Sequence, residues 1–80
     1  MVKIELLSNE NGICQYNYQP EGIGKPGVIK YDYNNDIEET VALAEEDSEY
    51  GTSRRHAFNN ITRHIRENGS LPNDMVISWY

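Results

Sequence analysis

One cysteine and two histidines are the residues of this sequence that could supply a nucleophile and a base. Cys14 is the only cysteine, and it stands in an alternating stretch where cysteine usually packs as a small hydrophobic residue. His56 and His64 are eight residues apart, more than two helical turns and too far for a shared metal ion on one helix. We therefore predict no catalytic residues, no enzyme activity and no cofactor.

Two short motifs match ion-binding loops in part. In "DYNND" (residues 32–36) the aspartates and Asn34 have the spacing of the first three ligands of a calcium loop. Ile37 and Leu43 then stand where that loop needs glycine and glutamate, so we interpret the motif as a strand end followed by a helix cap. "GIGKPG" (residues 22–27) has the composition of a phosphate loop without its spacing, which favours a hairpin loop.

Tyrosines and arginines could form nucleic-acid contacts. Alternating tyrosines can stack bases, but such platforms lie in basic grooves, and tyrosine also fills half-buried strands or anchors protein interfaces. Arginines on one helix face could contact phosphate, remain solvated or pair with neighbouring acids. The residues in question are Tyr16, Tyr18, Tyr31, Tyr33, Arg55, Arg63 and Arg66. We favour a core or interface role for the tyrosines and solvation or internal pairing for the arginines.

The charge distribution is the most unusual property of the chain. The net charge of −6 argues against general nucleic-acid binding. Residues 32–49 contain eight acids and no base, whereas residues 50–70 contain four arginines and one acid. Acids at helix starts explain part of this switch, because the helix dipole stabilises them there. The rest is either internal pairing between two helices or a binding face.

Hydrophobic alternation predicts four strands. Val2–Leu7, Ile13–Gln19 and Val28–Tyr33 alternate with period two, and Asn-Gly between the first two favours a hairpin turn. Residues 75–80 alternate again and form the last predicted strand, which we expect to pair antiparallel beside the first.

Two helices are predicted between the third and fourth strands. The first begins at a cap at Asn35 or Asp36, with Ile37, Val41 and Ala44 on one face. The second runs to about Asn68, where Gly69 stops it, and its apolar stripe is expected to contain Ala57, Phe58, Ile61 and Ile65. A start near Ser48 would add Tyr50 to this stripe and place acids at the helix start, although Gly51 in the first turn disfavours it. The prediction is one α+β domain over residues 1–80, with the order βββααβ and both helices on one face of an antiparallel sheet.

These observations lead to a hypothesis of a non-enzymatic acidic interaction protein in the cytoplasm. Its partner would be a protein with a basic, nucleic-acid-binding surface, which it would occupy as an inhibitor or DNA mimic. Phage-encoded inhibitors of defence nucleases, the anti-CRISPR type among them, have similar size and charge. The predicted partner-binding residues are Asp36, Glu38, Glu39, Glu45, Glu46, Asp47 and Glu49. One alternative is a self-associating domain, such as a homodimer, that pairs through its tyrosine-rich sheet or its terminal strand (residues 75–80). The other is a nucleic-acid module that uses Arg55, Arg63 and Arg66.

Overall fold

The computed structural model describes residues 1–79, which form five strands and one helix. All neighbouring strands are antiparallel, in the spatial order β4-β3-β2-β1-β5. This arrangement fits the α+β class predicted from the sequence. In chain order the elements are β1 (Val2–Glu10), β2 (Ile13–Pro20), β3 (Gly27–Asp32), β4 (Ile37–Ala42), α1 (Thr52–Asn68) and β5 (Met75–Ile77).

The first hairpin follows from its turn residues. Asn11 and Gly12 connect β1 to β2 with φ values of 54° and 81°, the positive values that a two-residue hairpin loop needs. β1 continues beyond the predicted strand to Glu10, and its pairing with β2 is irregular after Leu6. The predicted turn is therefore confirmed, although the strands around it are longer.

The last strand returns to the side of the first. β5 pairs antiparallel with β1, with Val2 opposite Ile77 and Ile4 opposite Met75. The predicted pairing of the last strand with the first is confirmed, but the strand is shorter than the predicted 75–80: it ends at Ile77, and residue 80 lies outside the described residues. This pairing requires the segment between β4 and β5, which includes α1, to cross one face of the sheet.

The first predicted helix is wrong. Ile37–Ala42 forms β4, and residues 43–50 contain no helix. Val41 lies four residues after Ile37, an interval that fits one face of a helix but also one side of a strand. A helix of only six residues would leave most of its backbone N–H and C=O groups without hydrogen-bond partners. The edge of β3 supplies such partners to a strand, so the strand is favoured. The predicted βββααβ order is thus corrected to ββββαβ.

Asp36 does not cap a helix. Its φ is 55°, in the left-handed region, whereas a helix N-cap residue has extended dihedral angles. Its carboxylate accepts a hydrogen bond of 2.6 Å from the Tyr31 hydroxyl. Asp36 therefore belongs to the β3–β4 turn.

Glycines mark both ends of α1. Gly51 and Gly69 have left-handed backbone conformations, and the Gly69 N–H donates to the Ile65 carbonyl, which confirms the predicted C-terminal stop. A start near Ser48 is wrong, because α1 begins at Thr52. Tyr50, which that start would have added to the apolar stripe, is 85% exposed.

The core lies between α1 and one face of the sheet. The predicted apolar stripe is confirmed for its three buried members, Ala57, Phe58 and Ile61, and α1 packs on β1, β2 and β5. The opposite sheet face carries no helix within residues 1–79. No helix in this part of the chain is long and apolar enough to span a membrane. The buried apolar residues are Val2, Ile4, Cys14, Tyr16, Tyr18, Ile29, Tyr31, Ala44, Ala57, Phe58, Ile61 and Ile77.

Candidate partner-binding surface

Two of the acids predicted to bind a partner form ion pairs with the start of α1. Arg55 donates through both terminal nitrogens to the two carboxylate oxygens of Glu38, a geometry that suits the planar guanidinium. This carboxylate raises the pKa of Arg55. Arg54 Nε donates to Asp47 Oδ2 at 2.5 Å. Internal pairing therefore explains part of the charge reversal seen in the sequence.

Asp47 is the centre of a buried polar network. Its side chain is 4% exposed, and its Oδ2 also accepts a 2.5 Å hydrogen bond from the Tyr18 hydroxyl. That hydroxyl in turn accepts the Ala44 N–H at 2.9 Å. Burial, followed by the hydrogen bond to Asp47, raises the pKa of Tyr18 to about 12, so the hydroxyl keeps its proton and donates. These hydrogen bonds connect the segment 43–50 to Tyr18 of the sheet.

Glu45 also has a structural role. Its Oε2 accepts the Lys25 N–H at 3.1 Å, and its own N–H donates to the Lys25 carbonyl at 2.9 Å. Gly27 makes the close approach of this segment possible, because a Cβ there would overlap the Tyr18 ring and the backbone at the end of β4. Four predicted partner-binding residues are therefore engaged within the chain: Asp36, Glu38, Glu45 and Asp47.

The other three predicted acids remain exposed. Glu39 lies on the helix-free face of the sheet, directly opposite Lys30 of β3, and Glu46 and Glu49 lie exposed in the following loop. Exposed aliphatic residues separate these carboxylates along the chain. We define the acidic edge as Ile37 (58% exposed), Glu39, Val41 (52%), Leu43 (65%), Glu46 and Glu49.

The aliphatic members of the acidic edge were missed from the sequence. Val41 lies four residues after Ile37, and Leu43 lies two after Val41, intervals that fit the period of a strand. A helix would instead have placed Ile37, Val41 and Ala44 on one buried face, but only Ala44 of these is buried. The even spacing through Leu43 was the signal that could have identified an edge strand.

The arginines of α1, namely Arg55, Arg63 and Arg66, are less available for binding a partner than the sequence suggests. Arg55 is paired with Glu38 and also lies 5.5 Å from the centre of the Phe58 ring. Arg63 donates to Asn60 Oδ1 at 2.7 Å. Arg66 stands in the last turn of α1, where the helix dipole stabilises a cation. The three arginines therefore do not act as one set of equivalent exposed cations.

The potential nucleophile, Cys14, and the potential bases, His56 and His64, each interact with different groups. Cys14 is buried, and desolvation raises the pKa of its thiol to about 11, which disfavours the reactive thiolate near neutral pH. His56 stacks on Trp79 with ring centres 4.0 Å apart. His64 Nδ1 lies 2.8 Å from the Ser70 carbonyl oxygen. The structure does not assemble a catalytic set from these groups.

The tyrosines do not form an exposed platform for stacking bases. Tyr16, Tyr18 and Tyr31 are buried in the core, and Tyr33 packs against it. The Tyr16 hydroxyl donates to the Pro72 carbonyl at 2.6 Å. The interpretation of these tyrosines as core residues is confirmed.

The carboxylate of Asp32 already accepts hydrogen bonds within the β3–β4 turn. Its Oδ2 accepts from the Asn35 side-chain amide at 2.9 Å, and its Oδ1 accepts the N–H groups of Asn34 and Asn35, both at 3.1 Å. These bonds, the Asn35 amide first, lower the pKa of Asp32. We expect calorimetric titration with calcium to give only weak, non-stoichiometric heats, because binding would have to break this turn. A one-to-one site of micromolar affinity would contradict this prediction.

A cleft of about 330 Å³ lies between β4 and the first turns of α1. Thr40 and Glu38 line the strand side. Tyr50, Arg54 and Phe58 line the helix side. The cleft therefore adjoins the acidic edge and offers both apolar and polar contacts.

Comparisons with protein-family models, curated proteins and solved structures found no match to this chain.

Proposed function

We propose that this protein is a non-enzymatic interaction protein whose acidic edge binds a basic surface of another protein. The observation that supports this most directly is the mixture of side chains along the acidic edge. Three aliphatic side chains, each more than half exposed, lie between exposed carboxylates. Exposed apolar groups with a polar surround are typical of protein interfaces, and the charge selects a partner of opposite sign.

The partner is, in this proposal, a protein that itself binds nucleic acid. A surface basic enough to be steered by this segment is most often one that neutralises phosphates. The protein would then act in the cytoplasm as an inhibitor or DNA mimic, for example of a phage type directed against a defence nuclease. The net charge of −6 and the concentration of acids in residues 32–49 support this part of the proposal.

Two alternative functions have weaker support. Self-association through the tyrosine-rich face of the sheet would need Tyr16, Tyr18 and Tyr31, which are buried. Pairing through the last strand would rest on the three residues of β5. A nucleic-acid module based on α1 would have to use Arg55 despite its pairing with Glu38. We therefore retain the acidic edge as the proposed functional surface.

The proposal is tested by reversing the charge of the acidic edge. Glu39→Lys, Glu46→Lys and Glu49→Lys are combined in one variant, with Arg63→Glu and Arg66→Glu combined as a control on α1. We expect the glutamate variant to melt within a few degrees of wild type, because exposed charges contribute little to stability. Its affinity for the partner should fall by about 100-fold or more, since like charges across an interface cost several kcal/mol.

The partner is first isolated on immobilised wild-type protein at low and high salt, and then purified for direct binding measurements. The arginine variant should bind it almost normally. Normal binding by a folded glutamate variant, with loss of binding by the arginine variant, would show that α1 is the functional surface and the proposal wrong.

A further inference from the structure

The backbone pattern of β3 shows which groups of β4 face away from the sheet. Just beyond β3, the Tyr33 N–H donates to the carbonyl of Gly12, the residue before β2. Backbone groups of an antiparallel strand point alternately to its two neighbours. Odd-numbered residues of β3 therefore bond to β2, and even-numbered residues bond to β4.

The same alternation extends to β4. Lys30 is even-numbered and stands opposite Glu39, so these two residues form a hydrogen-bonded pair. The N–H groups of Glu38 and Thr40 then point away from the sheet. Within residues 1–79 no strand lies on that side of β4.

The outer edge of β4 carries only some of the features that block strand pairing. Natural edge strands are often short, contain charged residues or proline, have a β-bulge, or lie under a loop. In β4 the register shifts between Thr40 and Ala42, whereas the part from Ile37 to Thr40 pairs regularly with β3. β4 has six residues, "IEETVA", with neither lysine nor proline. The side chains of Glu38 and Thr40 are held by Arg55 and Arg54 of α1, which keeps this part of the strand extended.

The cleft beside β4 leaves space for a further strand. Alternate side chains of an added strand would lie on the helix-free face beside Ile37 and Glu39. The others would point to the side of α1, where the 330 Å³ cleft is lined by Tyr50 and Phe58. The side chains on both faces of the added strand would therefore have residues of this protein to contact.

The charge around this edge determines which strand fits. Glu38 and Glu39 lie on β4, and Glu46 and Glu49 are exposed in the next loop. A second copy of this chain would bring the same acids against each other, which is unfavourable in cross-strand pairs. Lysine or arginine opposite Glu39, with an aliphatic residue opposite Ile37, would be favourable.

We propose that β4 binds an extended, basic segment of a partner protein by strand addition, so that the segment becomes the sixth strand of the sheet. This inference rests on the proposed function and specifies its binding mode. Main-chain hydrogen bonds from Glu38 and Thr40 would supply affinity, and the side-chain contacts of the acidic edge would supply selectivity.

The probe is the end-capped synthetic peptide Lys-Val-Thr-Lys-Thr-Val-Lys, whose symmetric sequence matches β4 in either direction. A control peptide has both threonine nitrogens methylated, which removes the donors that would face β4. A second control replaces the lysines with glutamate. Binding is followed by fluorescence anisotropy, and amide hydrogen exchange is followed by NMR at saturating peptide.

Strand addition predicts a specific exchange pattern. The lysine peptide should slow exchange at Glu38 and Thr40 by about tenfold or more, because their N–H groups become bonded. Ile37 and Glu39, already bonded to β3, should change little. The methylated and glutamate peptides should bind at least about tenfold more weakly, as expected when pairing or charge complementarity is lost.

Three outcomes would overturn the proposal. First, the methylated and unmethylated peptides could bind equally well, and neither could bind the Glu39→Lys, Glu46→Lys, Glu49→Lys variant. This result would refute strand addition but would still support the acidic edge as the binding surface. Second, no binding of the lysine peptide would also refute strand addition, while partner capture tests the proposed function separately. Protection of Glu38 and Thr40 in a concentration-dependent dimer of the free protein would identify a second copy as the occupant.

Discussion

Replacing Ile61 by alanine is expected to lower the free energy of unfolding by about 2–5 kcal/mol, as for other buried large-to-small changes. Ile61 is completely buried in the one helix found within residues 1–79, and it faces the sheet between α1 and the central strands. Phe58, 5% exposed, should give a loss in the same range. Such a loss is a large part of the stability of a domain this small. Urea unfolding measures it.

Val76→Ala is the matched control, because Val76 is 55% exposed on the opposite side of the sheet. Its midpoint should stay close to that of wild type. If Ile61→Ala and Val76→Ala unfold at the same urea concentration, the helix does not cover the sheet in the register described.

Replacing Asp47 by alanine should lower the free energy of unfolding by about 3 kcal/mol, since it leaves two partners of a buried carboxylate unpaired. The Tyr18 hydroxyl and Arg54 Nε would both lose their acceptor. The side chain of Arg54 is 28% exposed and can regain some hydration, so the effect should not reach the largest values known for buried pairs. Thermal or urea unfolding measures the change.

Glu46→Ala provides the control for Asp47→Ala, because Glu46 is an exposed neighbour of the same charge. We expect it to have little effect on unfolding. A double-mutant cycle of Asp47→Ala with Tyr18→Phe should show coupling, because the two side chains share a hydrogen bond. Additive losses would mean that the network does not act as one unit.

The elements predicted correctly are those with an unambiguous local pattern. β2 and β3 alternate strictly, β1 alternates as far as Leu6, and turn residues such as Asn11 and Gly12 separate the strands. The stripe of Ala57, Phe58, Ile61 and Ile65 has helical spacing over about two turns, which favours a helix over a strand. In these segments the periodicity of burial and the backbone preference agree.

The acidic segment, residues 32–49, was the hardest to predict. Its acids are neighbours in the sequence, but their environments in the structure differ. Glu38 and Glu39 are adjacent, yet they point to opposite faces of β4. One pairs with Arg55, and the other lies on the helix-free face. A helix assignment would instead have placed both on one solvated side.

By itself the sequence determined the α+β composition, the three-strand meander, the helix that ends at Gly69 and the concentration of negative charge before it. Only the tertiary structure decided whether Ile37–Ala42 became a strand, because that depended on the open edge of β3, a partner distant from any local pattern. It also decided which acids remain exposed, because ion pairing depends on where α1 places Arg54 and Arg55 over the sheet. Local periodicity determines which side chains share a face, and long-range contacts determine what that face meets.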